Sequence, residues 1–276
     1  MHMVHGRLLY RVVPSWASRS AVHAANVPVR PKPARITADT HLSGDLWCPS
    51  LNLKKRTSAR STGWPQVPHD FSHMDDDALP VFFRGMHGGN QAKGRELLTT
   101  GIPLNDRHRL LDVGGGSGGM TLALCGGLPE LSATILELPR VTPITRRFVA
   151  EAGFEGRVSV IEGDAVAAPP SGKYDLATLS SVIQVLDPDA AASLLVNVGR
   201  ALEPGGRIVI TGRILNDDRI SPQHVALFNL VFLNIYNGGL AHTEAEYRGW
   251  LQAAGFTNIE RRPMKEAELI TAVRAG

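Results

Sequence analysis

Leu110-Leu111-Asp112-Val113-Gly114-Gly115-Gly116-Ser117-Gly118-Gly119 decides the fold of this chain: a short apolar run, a carboxylate, then a glycine turn opening into an Ala/Leu-rich segment from about Met120. A strand, a glycine turn and a helix N-terminus together aim backbone N–H groups at one point, and glycine admits a ligand where a Cβ would block it. The stretch therefore predicts a nucleotide-like cofactor held in an α/β fold. Gly114, Gly116 and Gly119 also satisfy G-x-G-x-x-G, the dinucleotide fingerprint, so the turn alone leaves the ligand open.

Acidic residues at successive strand ends narrow the choice. Asp112, two residues before the first glycine, suits the cationic amino and sulfonium groups of S-adenosylmethionine (SAM) better than a pyrophosphate. A second apolar run, 133–136, ends in Glu137-Leu138-Pro139, at the distance where such folds place an acid on ribose hydroxyls. A third, 158–161, leads to Glu162-Gly163-Asp164-Ala165, which puts Asp164 where an adenine amino group can be recognised. Each acid alone also fits a solvated loop.

Strand and helix patterns alternate along the rest of the chain. Helices are predicted over 140–153, 188–202 and 222–237, and strands over 174–179, 207–211, 257–261 and 269–273. Thr243 with Glu246 has capping-box spacing for a further helix that ends at Gly255. Such alternation implies a parallel sheet. Upstream, Leu79, Val81, Phe82 and Met86 have spacings that a helix gathers on one side.

These motifs, with Leu202-Glu203-Pro204-Gly205-Gly206 and Ala254-Gly255-Phe256, resemble the class I SAM-dependent methyltransferases, and within them the small-molecule O-methyltransferases of the hydroxyindole and polyketide type. The resemblance runs from about residue 70 to the end. It implies a Rossmann-like mixed seven-stranded sheet with helices on both faces and a final antiparallel strand. The expected organisation is an irregular basic segment 1–68, a helical linker 69–105 and a methyltransferase domain 106–276.

The resemblance also assigns roles. Asp112, Gly114, Gly116, Gly118, Glu137, Leu138, Asp164, Ala165 and Ser180 are expected at the SAM cofactor. Phe82, Met86, Asn229 and Asn234 are expected at the acceptor. Gln184 stands where the family has its general-base His, and Gly212 and Ala241 stand where it has supporting acids. An amide cannot take a proton at neutral pH, so methyl transfer here would rest on proximity and orientation. His242 is the nearby imidazole that could serve as base, against the plainer reading of a surface residue before a helix. The resemblance thus implies a methyltransferase acting, most often at oxygen, on a small aromatic secondary metabolite. The rivals are a SAM-binding relative that no longer transfers methyl, hydroxylase-like, and a nicotinamide-dependent enzyme.

Composition bounds the remainder. The chain has 276 residues and 43% hydrophobic content, ample for a buried core. Cys48 and Cys125 form neither a metal spacing nor a disulfide framework, which makes a cytoplasmic setting the default. No apolar run reaches the roughly 18 residues needed to span a bilayer, so no membrane partner is expected. His69 and His73 among Asp70, Asp75, Asp76 and Asp77 read as an acidic helix entry, and no metal site is assigned.

The charge is lopsided. Residues 1–68 carry ten Lys/Arg against Asp39 and Asp45, while the remainder holds 19 basic and 24 acidic residues. That quarter is broken by Pro14, Pro28, Pro31, Pro33, Pro49, Pro65 and Pro68. It reads as a truncated or mis-started counterpart of the family's dimerisation domain, or as a basic arm; if residues 1–38 are a transit segment, the location would be mitochondrial. A nucleic-acid partner is not inferred from it. A homodimer is expected from the resemblance alone.

Overall fold

The computed structural model describes Phe71, residues 74–236 and residues 238–276, all within the unit Arg60–Gly276. The expectations for residues 1–68 and for His69, Asp70 and His73 lie outside the described residues. Helix α1 (Ala78–Leu97) is followed by β1 (Arg109–Val113), α2 (Gly119–Gly127), β2 (Ser132–Glu137), α3 (Thr142–Glu151) and β3 (Val158–Glu162). Then come β4 (Tyr174–Ser180), a 3₁₀ turn (Ile183–Val185), α4 (Pro188–Ala201) and β5 (Leu202–Gly212). The chain closes with α5 (Gln223–Ile235), α6 (Glu244–Ala253), β6 (Phe256–Pro263) and β7 (Glu268–Arg274).

The strands form one seven-stranded sheet in the order β3-β2-β1-β4-β5-β7-β6. The pairs from β3 to β5 are parallel, and β7 runs antiparallel to both β5 and β6. This is the mixed sheet with an antiparallel final strand that the family resemblance implied. The strand order reverses between β1 and β4, so the crevice beyond their C-terminal ends is where open α/β sheets bind ligands.

Period-two alternation sends successive side chains to opposite faces, and both faces are covered. Leu111, Ala177 and Ile208 join Leu194, Leu195 and Val198 of α4 and Tyr247 and Leu251 of α6 in one core. Their neighbours Leu110, Leu176 and Val209 join Met120 and Leu124 of α2 and Val149 of α3 on the other face. The capping box of Thr243 and Glu246 is formed at the start of α6, and Gly255 follows that helix with φ of 81°.

Two expectations need correction. Strand β5 begins at Leu202, five residues before the predicted 207, because Leu202 already pairs with Tyr174 across a register shift. On α1, the inward face carries Leu79, Phe83, Gly94 and Leu97, whereas Val81, Phe82 and Met86 are exposed. The reason is the seat of α1 on α2: a Cβ on Gly94 would stand 2.8 Å from Ala123 Cβ and 2.8 Å from the Met120 carbonyl oxygen. Only a glycine allows that approach, and it fixes which face of α1 turns inward. Among the described residues no helix is long and apolar enough to cross a membrane.

Candidate cofactor and acceptor site

The turn after β1 is built on left-handed backbone. Gly114 and Gly116 have φ of 64° and 60°, conformations that side chains with a Cβ resist. A Cβ on Gly114 would also meet Val182 Cγ2 at 2.7 Å, so the turn closes directly onto the segment that follows β4. The crevice between β1 and β4 is therefore framed by these two loops.

Glu137 is bound into this turn. One carboxylate oxygen, Oε1, accepts the Gly116 N–H at 2.7 Å, and Oε2 accepts the Leu138 N–H at 2.8 Å. The residue is 5% exposed, and burial pushes its carboxyl up to about 7 against the pull of the two N–H donors, with the nearby Asp112 charge adding to the rise. A carboxylate has about four acceptor positions, so each oxygen retains capacity for a ligand hydroxyl. The Gly116 carbonyl in turn accepts the Thr145 hydroxyl of α3 at 2.5 Å, and Ser117 Oγ lies 2.9 Å from His87 Nδ1 of α1. His87 stacks on Phe148, its ring centroids 4.4 Å apart.

Asp112 lies buried in β1, just before the glycine turn. It is 1% exposed, and its oxygens accept the Thr178 hydroxyl at 2.8 Å and the Thr121 hydroxyl at 2.5 Å. A Cβ on Gly115 would come within 2.6 Å of Oδ2. The side chain braces the turn and ties β1 to β4 and α2. Burial raises its carboxyl to about 6, opposed by the two threonine hydroxyls.

The other expected cofactor residues are spread along the same sheet edge. Gly118, with φ of 72°, caps α2, and Leu138 follows Glu137 half-buried. Asp164 is exposed and caps its own turn through Val166 N–H at 2.8 Å; Ala165 beside it is buried, its carbonyl held by Asn197. Ser180 at the end of β4 accepts the Thr211 hydroxyl at 3.2 Å.

Gln184 sits in the 3₁₀ turn, buried, with Oε1 accepting the Arg213 N–H at 2.9 Å. A Cβ on Gly212 would lie 2.8 Å from that oxygen, so the glycine makes room for the amide. The oxygen is thereby committed to the backbone. Phe82 and Met86 are 37% and 43% exposed, Phe82 meeting Phe83 edge to face while part of its ring stays open to solvent.

Three further expectations change. His242 is fully enclosed and is not a surface residue: Nε2–H donates to the Leu186 carbonyl at 3.2 Å, and the ring meets Trp250 and Tyr247 edge to face. Burial holds its imidazole below the ordinary range, with Glu246 and backbone carbonyls acting in the opposite sense. Its unpartnered Nδ1 is buried, so the ring fixes the 3₁₀ turn instead of facing an acceptor. Asn229 spends Oδ1 on the Ala241 N–H at 2.7 Å, and exposed Asn234 donates back to the Leu230 carbonyl of its own helix at 2.5 Å. Neither asparagine presents its whole amide to a pocket.

The sequence reading also missed residues. Lys93 of α1 reaches across to Ser180 and Ser181 with Nζ–Oγ distances of 3.4 and 3.3 Å. Burial and the charge of Arg213 hold its ammonium below the ordinary lysine range, with Glu266 acting in the opposite sense. Its signal was available: Lys93 follows Met86 by seven residues, so it continues the Phe82–Met86 stripe two turns on.

Fold and site together define an α/β protein with a glycine turn at the reversal point of its mixed sheet. The model of the O-methyltransferase domain matches residues 54–257, and the chain belongs to that family. It is 30% identical over 178 residues to the 3-hydroxy-5-methyl-1-naphthoate 3-O-methyltransferase of Streptomyces sahachiroi, covering 64% of this chain and 51% of that protein. It is 35% identical over 157 residues to the aclacinomycin 10-hydroxylase RdmB of Streptomyces purpurascens, covering 56% and 41%. Among solved structures it resembles PigF with SAH, with a TM-score of 0.67, 25% identity and coverage of 72% of this chain and 60% of that one. The chain spans about half the length of the curated relatives it matches.

Proposed function

We propose that this domain binds SAM in the 114–119 turn and transfers its methyl group to an oxygen of a small aromatic metabolite. The observation that carries the reading is the union of Glu137 with Gly116: a buried carboxylate with spare acceptor positions, fastened to a turn whose left-handed glycines leave the backbone bare. That chemistry fits a ribose diol beside a compact polar group. Gly114, Gly116, Gly118 and the Leu138 backbone would line the cofactor, Asp164 and Ala165 its base, and Ser180 its methionine end. SAM supplies an electrophilic methyl on a sulfonium.

The chain's own part is to hold the nucleophile in line with that methyl in a dry pocket, an effect worth several kcal/mol. Gln184 orients the acceptor through its amide nitrogen, and the exposed Phe82 and Met86 offer it an apolar wall. With glutamine in the base position and His242 enclosed, an acceptor that arrives ionised needs no proton removed. The small-molecule acceptor acts without nucleic-acid or membrane partners. We place the protein in the cytoplasm, with 69–105 serving as a helical approach to the 106–276 domain. The apolar side chains Leu227, Phe228, Leu230 and Val231, exposed on α5, support a homodimer.

Incubation of the purified chain with methyl-labelled SAM and an extract of small aromatic compounds, followed by mass spectrometry, tests the activity. Labelled product is the expected outcome. A second reading, SAM binding without transfer, draws on the loss of the base and on the likeness to a hydroxylase; calorimetric binding of SAM with no labelled product would favour it. Binding of NADH in place of SAM would reject both.

A further inference from the structure

Two cations, Lys93 of α1 and Arg213, meet the C-terminal ends of β4 and β5, and among the described residues neither forms an ion pair with a carboxylate. Lys93 Nζ is met by two serine hydroxyls, Ser180 and Ser181, and among the described residues it forms no ion pair. Arg213 begins one residue beyond β5; its guanidinium lies 4.9 Å from the centroid of the exposed Phe228 ring of α5, again without an ion pair among the described residues. The two belong to one place. Ser180 is the register partner of Thr211, the Ser181 N–H donates to the Thr211 carbonyl at 2.7 Å, and Arg213 follows two residues later. Gln184 is tied to the same point through the Arg213 N–H.

Glu266, the acid that acts electrostatically on Lys93, does so from beyond ion-pair distance. A half-buried pair of like charges with no carboxylate in ion-pair contact raises the local affinity for an anion, and its N–H donors make charge-assisted bonds to carboxylate or phenolate oxygens. Lys93 lies on the α1 stripe of Phe82 and Met86, and Arg213 lies against α5, so the charge faces the acceptor side of the crevice.

We propose that Lys93 and Arg213 form an anion site that selects acceptors bearing a carboxylate or an acidic, ionised phenol. This deepens the methyltransferase reading and rests on it: the acceptor's charge replaces the missing base, since its oxygen needs no deprotonation before attack. The lysine is an anchor for the anion and is not itself the group that attacks or leaves.

Calorimetry with 2-naphthoate and the neutral 2-naphthamide, on the full chain with and without bound SAH, tests this. Naphthoate should bind about tenfold more tightly than the amide, and Lys93→Gln or Arg213→Gln should reduce that preference to about threefold or less. Lys93→Arg should keep it, and SAH affinity should be unchanged in all three variants. Equal binding of the two probes, or binding of neither, overturns the proposal. So does a loss of SAH affinity in Lys93→Gln, which would assign the site to the cofactor's own carboxylate. A chain that binds no SAH yet prefers naphthoate refutes the methyltransferase reading and keeps the anion site.

Discussion

Glu137 at the end of β2 and Gly116 in the turn after β1 are joined by a 2.7 Å hydrogen bond from the Gly116 N–H to Oε1. The second oxygen is held by the Leu138 N–H. The two bonds fix the carboxylate in place and orientation, and if it holds a ligand hydroxyl as proposed, the ordering cost of binding is lowered.

This arrangement has a pH signature. The Glu137 carboxyl lies at about 7 in the fold, above its ordinary 4.5, so the folded chain holds the extra proton between those values. Stability of the ligand-free protein should therefore fall as pH rises through that window, by on the order of 2 kcal/mol. Urea unfolding between about pH 5 and pH 7 reads the slope, which Glu137→Gln should flatten. Equal slopes in the two proteins would contradict the burial argument. Hydroxyl donors favour the ionised form, so SAM affinity should strengthen over the same rise in pH and then level off.

Asp112→Ala should act first on the fold. It leaves the Thr121 and Thr178 hydroxyls unpaired in the core, and the expected loss is about 2 to 4 kcal/mol. SAM affinity should weaken only as the turn loosens, so Asp112→Asn, which retains one acceptor, should recover much of both. Thermal melting and calorimetry on the two variants separate this from a direct contact, for which Asp112→Asn would lose binding without losing stability.

Gly94→Val should lift α1 from α2, because a Cβ there meets Ala123 and the Met120 backbone within 3 Å. Overpacking of this kind costs about 1 to 3 kcal/mol. The displacement carries Phe82, Met86 and Lys93 with it, so acceptor binding should suffer more than SAM binding. An unchanged melting temperature would refute the packing account.

Gln184→Ala frees the Arg213 N–H and removes the amide from the pocket. Turnover or acceptor choice should change by about tenfold or more, while SAM affinity stays within about twofold. Steady-state kinetics against calorimetry gives the comparison. Gln184→His would not restore a base unless the ring escaped the same backbone tie.

Much of the fold was legible because its signals are local. The alternation of Leu110 and Leu111, the glycine turn, the Thr243 capping box and Gly255 each express a backbone preference that a few residues settle among themselves. Strand β5 was misjudged at its start because Glu203-Pro204-Gly205-Gly206 has the composition of a loop, yet the neighbouring β4 recruits Leu202 into pairing.

The site was legible as a set of positions and not as a set of contacts. The sequence by itself determined the α/β alternation, the glycine turn after β1 and the strand ends where the acids stand, since these follow from side-chain period and glycine backbone. Tertiary structure alone decided each acid's partners: Asp112 finds Thr178, 66 residues away, only because β4 lies beside β1, while Glu137 meets the turn from β2. It also enclosed His242 and brought Lys93 to Ser180, 87 residues on. Burial and hydrogen-bond partnership belong to neighbours in space, and spacing along the chain does not encode them.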